Sequence, residues 1–113
     1  MNNNINGKGK EYNLDGKLIF EGEYFNGEKN GKGKEYNHDY KLLFEGEYYN
    51  DLKWNGRGYD LYNNIIYELK DGKGLVKEYD IFQDNIIFEG EYINGKRNGK
   101  GKEYHKYKGN INI

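Results

Sequence analysis

The chain has no cysteine and no proline, and only one methionine, one tryptophan and two histidines among its 113 residues. Without cysteine there is no disulfide staple, thiolate metal site, thiol nucleophile or thiol redox chemistry, as befits a reducing compartment. Without proline no strand need lose a ladder hydrogen bond, so uninterrupted β-pairing is permitted along the chain. An excess of either charge is missing too: 18 basic and 19 acidic residues leave a net charge of −1, with no overall pull toward nucleic acid or an anionic membrane. No apolar run approaches the roughly 18 residues of a membrane span. The opening stretch MNNNINGKGK has neither an apolar signal core nor the glycine that myristoylation needs after the initiator. These absences lead to the expectation of one cytoplasmic domain over residues 1–113, with no cofactor and no nucleic-acid partner.

Only 35% of the residues are apolar, yet there are 13 Tyr, 5 Phe and 17 Gly. Such a composition suits a small sheet held by aromatic side chains, each burying about 150–250 Å². The arrangement is repetitive. FEGEY begins at Phe20, Phe44 and Phe88, with a worn IYELK at Ile66; GKGKEY begins at Gly7, Gly31 and Gly99, with GRGYD at Gly56 and GKGLVKEY at Gly72. In FEGEY, Phe20, Gly22 and Tyr24 point one way and Glu21 and Glu23 the other, the two-residue alternation of a strand with one apolar and one charged face. Asn-Gly pairs at Asn26, Asn30, Asn55, Asn94 and Asn98 are hairpin signals, and Asp15-Gly16 marks a return turn where the next copy has Tyr40. Hairpins are therefore predicted over 20–36, 44–60, 66–79 (a degenerate, short copy) and 88–104, with terminal segments 7–12 and 105–113, forming an elongated, single-layer antiparallel sheet. One two-stranded hairpin is marginal in water, so stacked copies supply the buried area that each lacks.

Charge sets an expected register in which Glu23 faces Lys32, Glu21 faces Lys34, Tyr24 lies across Gly31 and Gly22 across Gly33. The glycines Gly22, Gly31, Gly33, Gly46, Gly56, Gly58, Gly90, Gly99 and Gly101 then make room for rings lying on the sheet. The paired carboxylates Glu21/Glu23, Glu45/Glu47 and Glu89/Glu91 have the spacing of a glycosidase dyad, but they recur in copy after copy, whereas an active site is built once. His38 and His105 stand in analogous loop positions, far apart along the array, and no ligand cluster accompanies either one. No catalytic or metal-binding residue is assigned, and the chain reads as a non-enzyme.

The stretch FEGEYFNGEKNGKGKEYNHDYKLLFEGEY resembles tandem MORN repeats, and the resemblance runs from Gly7 to Tyr104. It implies an elongated, twisted sheet of hairpins whose aromatics pack between repeats and whose grooves bind partners. The phrase DGKLIFEGEY is also similar to the variant repeats of bacterial antitoxin or immunity proteins, and phosphoinositide binding has long been proposed for the family. Three expectations follow. The foremost is a protein-binding or scaffold module that uses, or self-associates through, an aromatic face of Phe20, Tyr24, Phe44, Tyr48, Phe88 and Tyr92. The second is an immunity protein with one cognate partner. The third is a phospholipid-binding module whose anion contacts are Lys96, Arg97, Lys100 and Lys102, in a basic cluster that continues to Lys106 and Lys108. By the expected register Lys100 faces Glu91 and Lys102 faces Glu89, leaving Lys96 and Arg97 for a ligand.

Overall fold

The computed structural model describes residues 5–80, 85–105 and 111–112, side chains excepted at 105 and beyond. Lys106, Lys108 and most of the terminal segment 105–113 therefore lie outside the described residues. These hold ten strands and no helix: β1 (Gly7–Tyr12), β2 (Leu18–Phe25), β3 (Glu28–Tyr36), β4 (Leu42–Tyr49), β5 (Leu52–Tyr59), β6 (Ile65–Leu69), β7 (Gly74–Tyr79), β8 (Ile86–Ile93), β9 (Lys96–His105) and β10 (Ile111–Asn112). Pairing is antiparallel and follows chain order. β1 to β6 make one open sheet and β7 to β10 a second.

The break between the sheets has a cause in two side chains. In each regular hairpin two inward glycines face one another: Gly22 and Gly33, Gly46 and Gly56, Gly90 and Gly101. The crossing leaves no room for more, since a Cβ on Gly22 would lie 2.7 Å from the Gly33 Cα and one on Gly90 2.6 Å from the Gly101 Cα. The third copy carries Leu69 and Val76 at these positions. Both are buried, and the strand pairing between β6 and β7 is reduced to a single bridge between Lys70 and Lys73. The two bulky side chains hold the strands apart and fill the gap as core.

Four two-residue turns have both central residues at positive φ: Asn26-Gly27, Asn50-Asp51, Asp71-Gly72 and Asn94-Gly95. This geometry matches the twist of the strands it joins. The second Asn-Gly of the two copies that have one, at Asn30 and Asn98, does not turn the chain. It forms a bulge, in which Glu23 on β2 spans Asn30, Gly31 and Lys32 on β3, and Glu91 on β8 spans Asn98, Gly99 and Lys100 on β9. The expected register therefore holds for Glu21–Lys34 and Gly22–Gly33 but fails at the bulge. Tyr24 pairs with Lys29, not Gly31, and the Glu23 carboxylate accepts the Lys32 amide at 2.7 Å. For the same reason Lys102 faces Glu89, whereas Lys100 does not face Glu91, whose carboxylate is taken by Asn98.

Successive turns are fastened to one another. The Gly27 amide donates to the Ile5 carbonyl, Asp51 to Lys29, Gly72 to Trp54 and Gly95 to Gly72, all within 2.8–3.0 Å. At the opposite end of the hairpins, Asn13, Asn37 and Asp60 each accept two loop amides on one side-chain oxygen, closing five-residue connections. These loops place Gly16, Tyr40 and Asn63 in the left-handed region, with φ of 78°, 62° and 68°. Tyr40 has the least suitable side chain for it, at about 1–2 kcal/mol of strain. Tyr40→Gly is expected to raise the unfolding free energy by about 0.5–1 kcal/mol in urea titrations, and Gly16→Ala to lower it by a similar amount.

The core is a zipper of rings. Tyr24, Phe20, Tyr48, Phe44 and Tyr67 follow one another with centroids 5.8, 5.1, 5.6 and 6.3 Å apart, the first three pairs edge-to-face. Leu69 and Val76 extend the cluster onto the second sheet, where Tyr92 packs against it. Such pairs add about 0.5–1.5 kcal/mol each beyond area burial.

Candidate functional site

The six aromatics expected to meet a partner form the interior instead. Phe20, Tyr24, Phe44, Tyr48 and Phe88 are at most 7% exposed, and Tyr92 is partly buried. The sheet's own long side chains cover this face. Lys29, Lys53 and Arg97, placed alike just after the turns, lie 4.1, 5.0 and 4.3 Å over the rings of Phe20, Phe44 and Phe88. Each cation is met by the glutamate of a neighbouring KEY strand: Glu11 at 3.8 Å, Glu35 at 2.8 Å and Glu78 at 2.9 Å. Glu11 also accepts the Tyr24 hydroxyl and Glu78 that of Tyr92. Burial would lower the Lys53 ammonium, but Glu35 together with the Tyr67 and Tyr48 hydroxyls outweighs it and holds the group charged.

Glu78 shows the balance in reverse. Burial pushes its carboxyl up, while the Arg97 guanidinium and the Tyr92 hydroxyl together bring it below its ordinary value of 4.5. A depressed carboxyl stabilises the fold above its unfolded value, and that contribution is lost as pH falls through the folded value. Glu78→Gln is thus expected to lower the melting temperature at neutral pH and to flatten its decline below pH 4.5. Melting across an acid pH series checks this.

Arg97 is accordingly not available for an anion, being engaged by Glu78, Glu103 and Phe88. Of the four expected anion contacts Lys102 faces Glu89, while Lys96 and Lys100 are exposed. The structure does not gather the four into one site.

The opposite face carries the open surface. Across the first sheet, Lys10, Glu21, Lys34, Glu45, Arg57 and Glu68 stand in one row of alternating sign, each in register with the next. A second row begins with Lys8 and Glu23 and resumes with Lys32 and Glu47. Between the rows, over the backbone of Gly9, Gly22, Gly33 and Gly46, lies a shallow trough of about 1090 Å³. Its walls hold four lysines and four glutamates, so it has no net charge. The Tyr36 hydroxyl donates to Glu21 at 2.8 Å beside it, and burial together with Glu21 raises that phenol to about 12.

Two exposed aromatics, Phe25 (60% exposed) and Tyr49 (51%), stand on this face next to Glu23 and Glu47. Tyr49 is braced by Trp54, with ring centroids 5.5 Å apart. The signal for them lay in the sequence, since the residue after each FEGEY is Phe25, Tyr49 or Ile93, apolar at the parity of the charged face.

A family model for the MORN repeat matches residues 20–40 and 88–106, which are hairpins β2–β3 and β8–β9 with the residues after them. The chain carries MORN repeats. No curated protein and no solved structure matches it. The stretches between the two matches depart from the motif where the structure departs from the regular hairpin: a turn without glycine at Asn50-Asp51, and Leu69 and Val76 in place of facing glycines. MORN repeats are generally non-catalytic modules that bind proteins or phospholipids. No helix among the described residues is long and apolar enough to cross a membrane.

Proposed function

We propose that this MORN array is a non-catalytic protein-binding module whose contact surface is the charged outer face over β1 to β4, anchored by Phe25 and Tyr49. The observation that carries the reading is the pairing of exposed aromatics with a neutral trough. Aromatic anchors commonly dominate interface energies, and alternating charges select a partner of matching pattern. An anionic membrane or nucleic acid gains nothing from a surface whose lysines already face glutamates. An immunity or antitoxin role is the special case of one cognate partner, and a cytoplasmic location accords with a chain lacking cysteine.

The test is affinity capture from the native host with wild type, Phe25→Ala/Tyr49→Ala and Lys96→Gln/Lys100→Gln chains, each checked by melting. A retained protein should be lost with the aromatic pair at unchanged melting temperature and kept with the lysine pair. No sedimentation with anionic vesicles is expected at about 150 mM salt. Pelleting that survives added salt, or capture indifferent to Phe25 and Tyr49, would overturn the proposal.

A further inference from the structure

The segment GKGKEY occurs as β1 and again within β3, with identical sequence and different neighbours. In β3 both edges are filled by FEGEY strands, β2 on one side and β4 on the other. β1 has β2 on one side alone, paired as β3 pairs with β4: Gly7 with Tyr24 as Gly31 with Tyr48, and Lys8 with Glu23 as Lys32 with Glu47. Among the described residues its other edge has no strand.

That edge already has the form its partnered twin takes. Gly31 is at φ 105°, the bulge conformation in which β3 receives Glu23 of β2; Gly7 is at φ 98° with no such partner. A Cβ on Gly31 would lie 3.1 Å from the Glu23 carboxyl carbon, whereas one on Gly7 would meet nothing within 4 Å. Gly33 is closed in by Phe20 on one side and Tyr48 on the other; Gly9 has Tyr24 in the place of Tyr48 and no ring in the place of Phe20, its other near neighbour being the Ile5 side chain, 3.8 Å from where a Cβ would lie. The open positions are those of one phenylalanine and one glutamate. Lys8 and Lys10, both exposed, discourage a neutral or basic strand here and favour an acidic one.

We propose that the outer edge of β1 is a docking site for an extended segment of another protein, of the pattern aromatic, acidic, glycine, acidic, added antiparallel as a further strand. Strand addition draws affinity from main-chain hydrogen bonds and specificity from alternate side chains. The incoming aromatic covers Gly9, its first acid faces Lys10 and its second accepts the Lys8 amide, as Glu23 accepts that of Lys32. A second copy of this chain cannot supply the segment without unzipping, because β2, β4 and β8 are each paired on both edges. This site is separate from the outer-face anchors proposed above.

The experiment uses the full chain, isotope-labelled for amide NMR, and the synthetic acetylated peptide LIFEGEYF, the sequence of β2. Saturable binding is expected, with amide shifts and slowed exchange centred on Lys8 and Lys10. Replacing the peptide's glycine by valine, or both glutamates by lysine, should weaken binding by at least about tenfold. A Lys8→Glu/Lys10→Glu chain should prefer the lysine peptide, and Tyr49→Ala should leave binding unchanged. These peptide changes do not touch the fold of the chain. No binding at millimolar peptide, equal binding of the valine peptide, or shifts confined to β9 or the outer face would each overturn the proposal.

Discussion

Phe44→Ala is expected to lower the unfolding free energy by about 3–5 kcal/mol, a large share of the roughly 5–15 kcal/mol that holds a domain folded. Phe44 is fully buried in the ring zipper, between Tyr48 and Tyr67 and beneath Lys53. Removing it deletes a ring contact on each side, leaves a cavity lined by two more rings, and strips the Lys53–Glu35 pair of the surface it lies on. Tyr49→Ala, at the end of the same strand on the other face, should cost less than about 1 kcal/mol, because its ring is half exposed. Urea denaturation of the pair checks the assignment of the faces. Equal losses would mean that Phe44 and Tyr49 are equally buried in solution.

Gly46→Ala should cost about 3 kcal/mol or more, a large loss for one methyl group. Its Cβ would press into the Asn55 carbonyl oxygen and lie 2.6 Å from the Gly56 Cα. Both obstacles are backbone atoms of the paired strand β5, which cannot step aside without opening the ladder. Gly16→Ala, where a Cβ meets nothing within 4 Å, isolates the backbone contribution at about 1 kcal/mol. A loss at Gly46 no greater than at Gly16 would show that β4 and β5 separate easily, and the account of the seam at Leu69 and Val76 would fall with it.

Strands, pairing order and the Glu21–Lys34 register were legible in the sequence because they rest on period-two alternation and cross-strand charge, both local. Which aromatic face would be covered was not. FEGEYF and FEGEYY have rings at both parities, and alternation alone does not say which parity is inside. The deciding residues are Lys29, Lys53 and Arg97, which lie just after the turns and cover the rings. The bulges escaped for a related reason. Asn-Gly serves equally as a turn and as a bulge, and three of the five such pairs, at Asn30, Asn55 and Asn98, lie within strands.

The fastened turns and the loops closed by Asn13, Asn37 and Asp60 give the array two unlike margins. Along the turn margin each step is one backbone hydrogen bond to the turn or strand before it, reinforced at three of them by the side chain of Asn6, Asp51 or Asn55, so a residue added to any turn would throw the next one out of reach. Along the loop margin the connections run to five residues at 13–17, 37–41 and 60–64 and to six at 80–85. Length already varies there without disturbing the pairing on either side. Lengthening a flexible loop costs only about 0.6 kcal/mol per doubling. A reporter peptide or a foreign domain grafted between Asp60 and Asn64 would therefore ride on an intact array, while the same graft at Asn50-Asp51 would unfasten the hairpins on both sides of it.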